Sequence, residues 1–192
     1  MKINLSNITE TCHHMIGLQV EKGDICIDAT AGNGHDTLFL AKLAGENGKV
    51  YAFDIQEEAL KETRRKLEEA KLVERVSLIQ AGHEDMDMYV SLCEHGKVSC
   101  AMFNLGYLPG GDHNCGTKLE TSLEALAKAL SLLRKNGMIS LCIYSGGDTG
   151  FAERDGILAW LKTLDSKKYL VLLLEYYNRP NHPPLPVFIY KL

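Results

Sequence analysis

The chain has 192 residues, 45% of them hydrophobic and 24% charged, with a formal net charge of −4. That length predicts one domain, residues 1–192, with a sizeable core. The charge excludes a global basic footprint, so a nucleic-acid partner would have to be held by a local patch or by shape. The six cysteines (Cys12, Cys26, Cys93, Cys100, Cys115 and Cys142) form no CxxC pair and no zinc spacing, and several fall inside apolar strands, so they read as reduced, mostly buried small hydrophobes. The start lacks a basic-then-apolar signal segment, and no apolar run approaches the ~20 residues that span a bilayer; a cytoplasmic protein without membrane contact is expected.

In chain order, Asn4 to Val20 carries Ile8, Cys12, Met15 and Ile16 at helical spacing, with Asn4 or Ser6 as N-cap. His13 and His14 lie on this helix, but no further ligands stand at metal-binding spacing, so they read as a half-exposed helix turn and no metal is expected. Ile25 to Thr37, ICIDATAGNGHDT, reads as a strand, a tight turn and a helix start, the place where open α/β sheets bind a nucleotide-like ligand. The spacing of Gly32 and Gly34 suits a sharp turn and the approach of a ligand where a Cβ would intrude. The third fingerprint position is Thr37, giving GxGxxT, and Asp28 at the strand tip would repel a pyrophosphate. A carboxylate there instead accepts hydrogen bonds from a cationic donor, which favours S-adenosylmethionine (SAM) over NAD. A helix over Thr37 to Leu43, with Asp36 in its first turn, leads through Glu46–Gly48 to the run Val50–Phe53, whose closing Asp54 belongs on ribose hydroxyls.

Glu57 to Ala70 is a charged helix, with Lys61, Arg64, Arg65 and Lys66 read as a solvated face laced with i,i+4 pairs. Val76–Gln80 is a third strand, after which His83 falls where the adenine would lie. Val98–Asn104 is apolar without alternation, as expected of a central parallel strand. The following loop, LGYLPGGDHNCG, is rich in glycine and proline and long enough to read as functional. A helix over Thr121–Leu133 closes on Gly137 in the left-handed position, and Met138–Tyr144 is a fifth strand. Ile157, Leu158, Leu161 and Leu164 mark another helix, and Tyr169–Tyr177 with Val187–Tyr190 must pair antiparallel because no helix fits between them. Parallel βα units ending in such a hairpin describe the class I SAM-dependent methyltransferase fold: Rossmann-like, α/β, with a seven-stranded mostly parallel sheet.

Methyl transfer from a sulfonium is an in-line displacement that needs an aligned nucleophile with a free lone pair. Asn104 stands at the tip of the fourth strand, where its amide oxygen can accept from an attacking amine. NLGY is similar to the (D/N)PPY motif of enzymes that methylate amino groups of nucleobases, with Leu105 and Gly106 in place of the prolines. Tyr107 is placed to stack on a base, and Asp112 and His113 are candidates for taking the amine's proton.

DATAGNGHDT, YAFDIQ, FNLGYLPGGD and the closing NHPP together resemble the YtqB/MnmM family of small bacterial SAM enzymes, also described as rRNA methylases. The resemblance implies methylation of 5-aminomethyl-2-thiouridine at the tRNA wobble position, with the anticodon stem-loop as partner. It puts Asp28, Thr30, Asn33, Asp36, Thr37, Asp54, Gln56 and His83 on the cofactor and Asn104, Tyr107 and Asp112 on the modified base. One departure is the turn after the fifth strand: YSGGDTG stands where the family has YxGHxxG, so Gly147 replaces a histidine; if that histidine holds or deprotonates substrate, this chain is slower, uses His113 or His182 instead, or takes a different substrate. Arg179, Lys118, Lys167 and Lys168 are candidate RNA contacts. Methylation of rRNA or a small amine, or a noncatalytic SAM-binding module that contacts RNA, are the competing readings. The oligomeric state is left open, with a homodimer compatible.

Overall fold

The computed structural model describes residues 7–105, 117–144, 147–181 and 183–192. Five parallel strands are β1 (Ile25–Asp28), β2 (Lys49–Asp54), β3 (Val76–Gln80), β4 (Val98–Leu105) and β5 (Leu133–Ile143); β6 (Tyr169–Leu173) and β7 (Leu185–Lys191) complete the sheet. The order is β3-β2-β1-β4-β5-β7-β6, with β7 antiparallel to both β5 and β6. The expected hairpin is therefore present, and β7 inserts between β5 and β6. Strand order reverses between β1 and β4, so a crevice opens at their carboxyl ends, where ligands bind in sheets of this kind.

The two-residue period of the strands sorts their side chains onto two helical layers. Cys26, Val50, Cys100, Met102 and Met138 pack with Cys12, Ile16, Leu40, Ala41 and Leu67 from α1 (Ile8–Gly17), α2 (His35–Ala44) and α3 (Glu57–Glu69). Ile27, Phe53, Ala101, Phe103 and Ile139 face the other way, onto Met86 of α4 (Met86–Tyr89), Leu126 and Ala129 of α5 (Leu119–Leu132) and Ile157 and Leu161 of α6 (Gly147–Leu161). Seven of the eight residues of β4 are buried, as its unbroken apolar run requires.

Several boundaries differ from the sequence reading. The cap of α1 is Asn7, whose side chain accepts from the Glu10 amide; Asn4 and Ser6 lie outside the described residues. Helix α2 begins at His35, two residues earlier than expected, because Gly34 at φ 76° serves as its cap. Helix α5 runs directly into β5 at Leu133, whose fully buried side chain continues the core in extended conformation opposite Val98. The left-handed residue there is Asn136, at φ 61°, and Gly137 is needed for a different reason: a Cβ on it would sit 2.9 Å from the Val98 and Arg134 carbonyl oxygens. Helix α6 starts at Gly147, well before the apolar stripe that announced it, and β6 ends at Leu173, short of Tyr177. At that sheet edge Leu170, Leu172 and Leu173 are exposed. Among the described residues no helix is long and apolar enough to cross a membrane.

Candidate active site

The turn between β1 and α2 is held from three sides. Gly32 and Gly34 both have positive φ, 49° and 76°. The Asp54 carboxylate, at the end of β2, accepts from the Gly32 amide at 2.8 Å and from the Gln56 amide at 2.9 Å. From α3, the Thr63 hydroxyl donates to the Gly32 carbonyl (2.9 Å) and the Lys66 ammonium to the Asn33 carbonyl (2.7 Å). Lys66 thus belongs to the glycine turn, whereas Arg65 pairs with Glu62 and Glu69 and Lys61 with Glu57, as a solvated face should. The space that Gly34 leaves open is filled by Thr63: a Cβ would lie 2.7 Å from its Oγ1, so close packing of protein on protein requires the glycine.

Asp28 lies beneath this turn. It is fully buried, and its oxygens accept from the Thr37 hydroxyl (2.6 Å) and the Thr30 amide (3.2 Å), so it shapes the loop from below and acts on a ligand through its field. Burial first, and then the nearby Asp36 carboxylate, push its pKa up to about 7. His83 is likewise buried, in the turn after β3. It hydrogen-bonds the Ala29 backbone and lies 6.0 Å from the Phe103 ring, and burial lowers its pKa, which keeps it neutral. Its place is under the β1 tip, as a support. The apolar surface that faces outward near Asp54 is Ile55, 55% exposed, a residue the sequence reading passed over although an isoleucine immediately after the acid that closes β2 was the available signal.

Across the crevice, Asn104 joins β4 to the loop. Its backbone amide donates to the Thr30 hydroxyl (2.8 Å), and its side-chain Nδ2 donates to Asp36 Oδ2 (2.7 Å). The other oxygen of Asp36 lies 2.6 Å from His13 Nε2, and the His13 ring stacks on Phe39 with centroids 3.8 Å apart. Asp36, expected on the cofactor, therefore bridges Asn104 and α1. His13 was missed because nothing in the sequence links it to an acid 23 positions later. On β5 Cys142 pairs with Asn104, and just past the end of that strand burial and then the Cys142 thiol push the Tyr144 phenol up. Tyr107, Asp112, His113 and His182 lie outside the described residues, as does any side chain at the Gly147 turn. Lys118, Lys167, Lys168 and Arg179 are exposed, Arg179 with its guanidinium 4.9 Å from the Tyr176 ring centre. Among the described residues no His, Cys, Asp and Glu side chains group to hold a metal.

The family model described as "Putative rRNA methylase" matches residues 50–190. The chain belongs to this family. A member from Clostridium thermocellum, solved under the same description, is 46% identical with a TM-score of 0.94, each chain covering 100% of the other. A Streptococcus mutans protein described as "a putative methyltransferase" and solved with SAH is 39% identical with a TM-score of 0.87, the match covering 97% of this chain and 98% of that one. In Arabidopsis thaliana, a chloroplastic tRNA (mnm5s2U34)-methyltransferase is 38% identical over 191 residues, 95% of this chain and 69% of the relative. The Clostridium thermocellum and Streptococcus mutans structures thus share this fold along nearly the whole chain.

Proposed function

We propose that this chain is a SAM-dependent N-methyltransferase that converts 5-aminomethyl-2-thiouridine at the tRNA wobble position to its 5-methylaminomethyl form. The observation that carries the reading is the Asn104 amide at the β1–β4 crevice. Its NH2 is committed to Asp36, which leaves Oδ1 as an acceptor for the N–H of a primary amine. An amine so held turns its lone pair away from the amide and toward the β1 loop.

The loop suits a positively charged adenosyl donor. Asp28 and Asp54 place carboxylates beneath and beside it, two glycines bring its backbone close, and exposed Ile55 offers an apolar face for a ring. Bound there, SAM supplies an electrophilic methyl group on a sulfonium. The residues of this chain align the amine, exclude water from the crevice and keep the amine's proton from returning. Asp112 and His113 are the proposed acceptors of that proton. The Arabidopsis relative supports the wobble uridine over rRNA or a small amine, and an anticodon stem-loop as partner. The free thiols of Cys12, Cys26, Cys93, Cys100 and Cys142 support a reducing compartment, hence the cytoplasm.

The test is nucleoside mass spectrometry of tRNA from a deletion strain, paired with purified protein, SAM and that tRNA. Accumulation of the aminomethyl nucleoside, cleared by adding the protein, is expected. Unchanged tRNA nucleosides would overturn the reading.

A further inference from the structure

The contacts of Asp36 point to a role that neither cofactor binding nor helix capping describes. An ionised carboxylate has only acceptor sites, whereas an asparagine amide has a donating and an accepting end of nearly equal shape. With Asp36 Oδ2 at 2.7 Å, only the NH2 end of Asn104 can face it, so the carbonyl end is forced to the opposite side. Without that carboxylate the two orientations are close in energy, and one of them presents NH2 to the amine, where it repels the amine's N–H bonds or donates into the lone pair that must attack the methyl. Asp36 is itself fixed. Its Oδ1 accepts from His13 Nε2, and the His13 ring is clamped flat on Phe39, with 2° between the planes. Asp36 and Phe39 stand three residues apart on α2, so one helix face supplies both the acceptor and the platform for the His13 ring. The three side chains are 14% to 23% exposed or partly buried, enough to hold a fixed geometry.

We infer that Asp36 and His13 are positioning residues for methyl transfer, Asp36 selecting the reactive orientation of the Asn104 amide and His13 holding Asp36 in place. Helix α1 thereby reaches the reaction centre through one hydrogen bond. The inference rests on the amine-methylating reading and adds to it which residues set the acceptor.

The design that separates positioning from cofactor binding is a charge-preserving exchange. Asp36→Asn is expected to lower kcat about tenfold to a hundredfold, the scale of a misplaced reacting group, while the Kd for SAM stays within about twofold of wild type. Asn104→Asp puts two carboxylates face to face and loses a similar factor. In the double variant Asp36→Asn/Asn104→Asp the donor and acceptor trade places and a carboxylate oxygen faces the amine, so kcat recovers to about tenfold above either single variant. His13→Phe keeps the stack on Phe39 and loses the donor, with kcat lowered several-fold and KM for tRNA unmoved, and His13→Gln restores it.

A double exchange no faster than the slower single variant overturns the inference. So does an Asp36→Asn variant whose SAM affinity falls in step with its activity, which makes Asp36 a cofactor ligand. The nitrogen-15 resonance of the Asn104 side-chain amide gives a reading that needs no substrate. It shifts in Asp36→Asn and in His13→Phe if the relay exists, and its constancy in both refutes the relay even if the tRNA assignment fails on wild-type protein.

Discussion

Gly34 and Thr63 are in contact across the turn that joins β1 to α2: a Cβ on Gly34 would lie 2.7 Å from Thr63 Oγ1 and 2.8 Å from its Cα. Gly34→Ala meets two penalties at once. The left-handed backbone at φ 76° costs an alanine about 1–2 kcal/mol, and overpacking against α3 costs about 1–3 kcal/mol more. A loss of about 2–5 kcal/mol in denaturant stability is expected. Thr63→Ala on the same background returns only part of it, since the Thr63 backbone remains in the way. Full recovery in the double variant would show that the side chain alone matters.

Asp28 makes the protein's stability depend on pH in an unusual direction for a carboxylate. In the folded chain its pKa is raised to about 7, against 3.8 for an ordinary aspartate, so between these values the native state holds a proton that the unfolded state has released. Its contribution is fully present below the unfolded value, shrinks as pH rises toward about 7, and then stays flat. Asp28→Asn keeps acceptor and size and removes the ionisation. The variant should gain stability relative to wild type on going from about pH 5 to about pH 8, with a slope of at most about 1.4 kcal/mol per pH unit. A cationic donor favours the ionised form, so SAM binding to wild type should release a proton and tighten as pH rises through neutrality. Calorimetry in buffers of different ionisation enthalpy reads that proton, and Asp28→Asn should abolish it.

The framework was legible because hydrophobic runs and their punctuation dominate it. The ranges of β1 and β3 and the antiparallel ending follow from apolar runs bounded by turn residues, and the glycine turn between β1 and α2 from the order strand, glycines, helix, acid. What a local reading cannot supply is which groups meet across the fold. Gly34 reads as room for a ligand until Thr63, 29 positions on, is seen to fill it, and Asp28 reads as a ligand contact until its complete burial under Thr30 and Thr37 is known. His13 carried no signal at all, since its partner Asp36 and its platform Phe39 sit on another helix. Gly137 was assigned to a helix terminus that does not exist, because Leu133 leaves α5 directly into the sheet.

Lys66 gives a test of how far α3 controls the loop. Its ammonium donates to the Asn33 carbonyl at 2.7 Å and lies 3.0 Å from His35 Nε2, with the side chain 18% exposed. Lys66→Met preserves the packing of the stem and removes a charged hydrogen bond, a loss of about 1–2 kcal/mol. If the loop must be ordered to hold SAM, most of that loss appears as affinity, about tenfold in Kd by titration, with a smaller fall in melting temperature. An unchanged Kd would place the ordering of the loop in Asp54 and Thr63 alone.

Glu153 offers the clearest case of a buried acid with a structural role. It is 6% exposed on α6, and its two oxygens accept from the hydroxyls of Ser122 (2.7 Å) and Thr117 (3.0 Å) on and before α5. Ser122 is fully buried, so removing its acceptor strands a hydroxyl away from water. Glu153→Ala should therefore cost about 1–3 kcal/mol, the range for an orphaned buried polar group, plus the cavity it leaves. In a chain of this length that corresponds to a melting temperature lower by roughly 3–10 °C. Glu153→Gln keeps one acceptor and the side-chain volume, and should lose less than half as much. Because neither oxygen faces the β1 loop, SAM affinity should be the same in both variants once they are folded. A drop in that affinity would mean that the docking of α6 on α5 is coupled to the crevice, a link for which the Glu153 charge acting on buried His83 under the β1 tip is the available route.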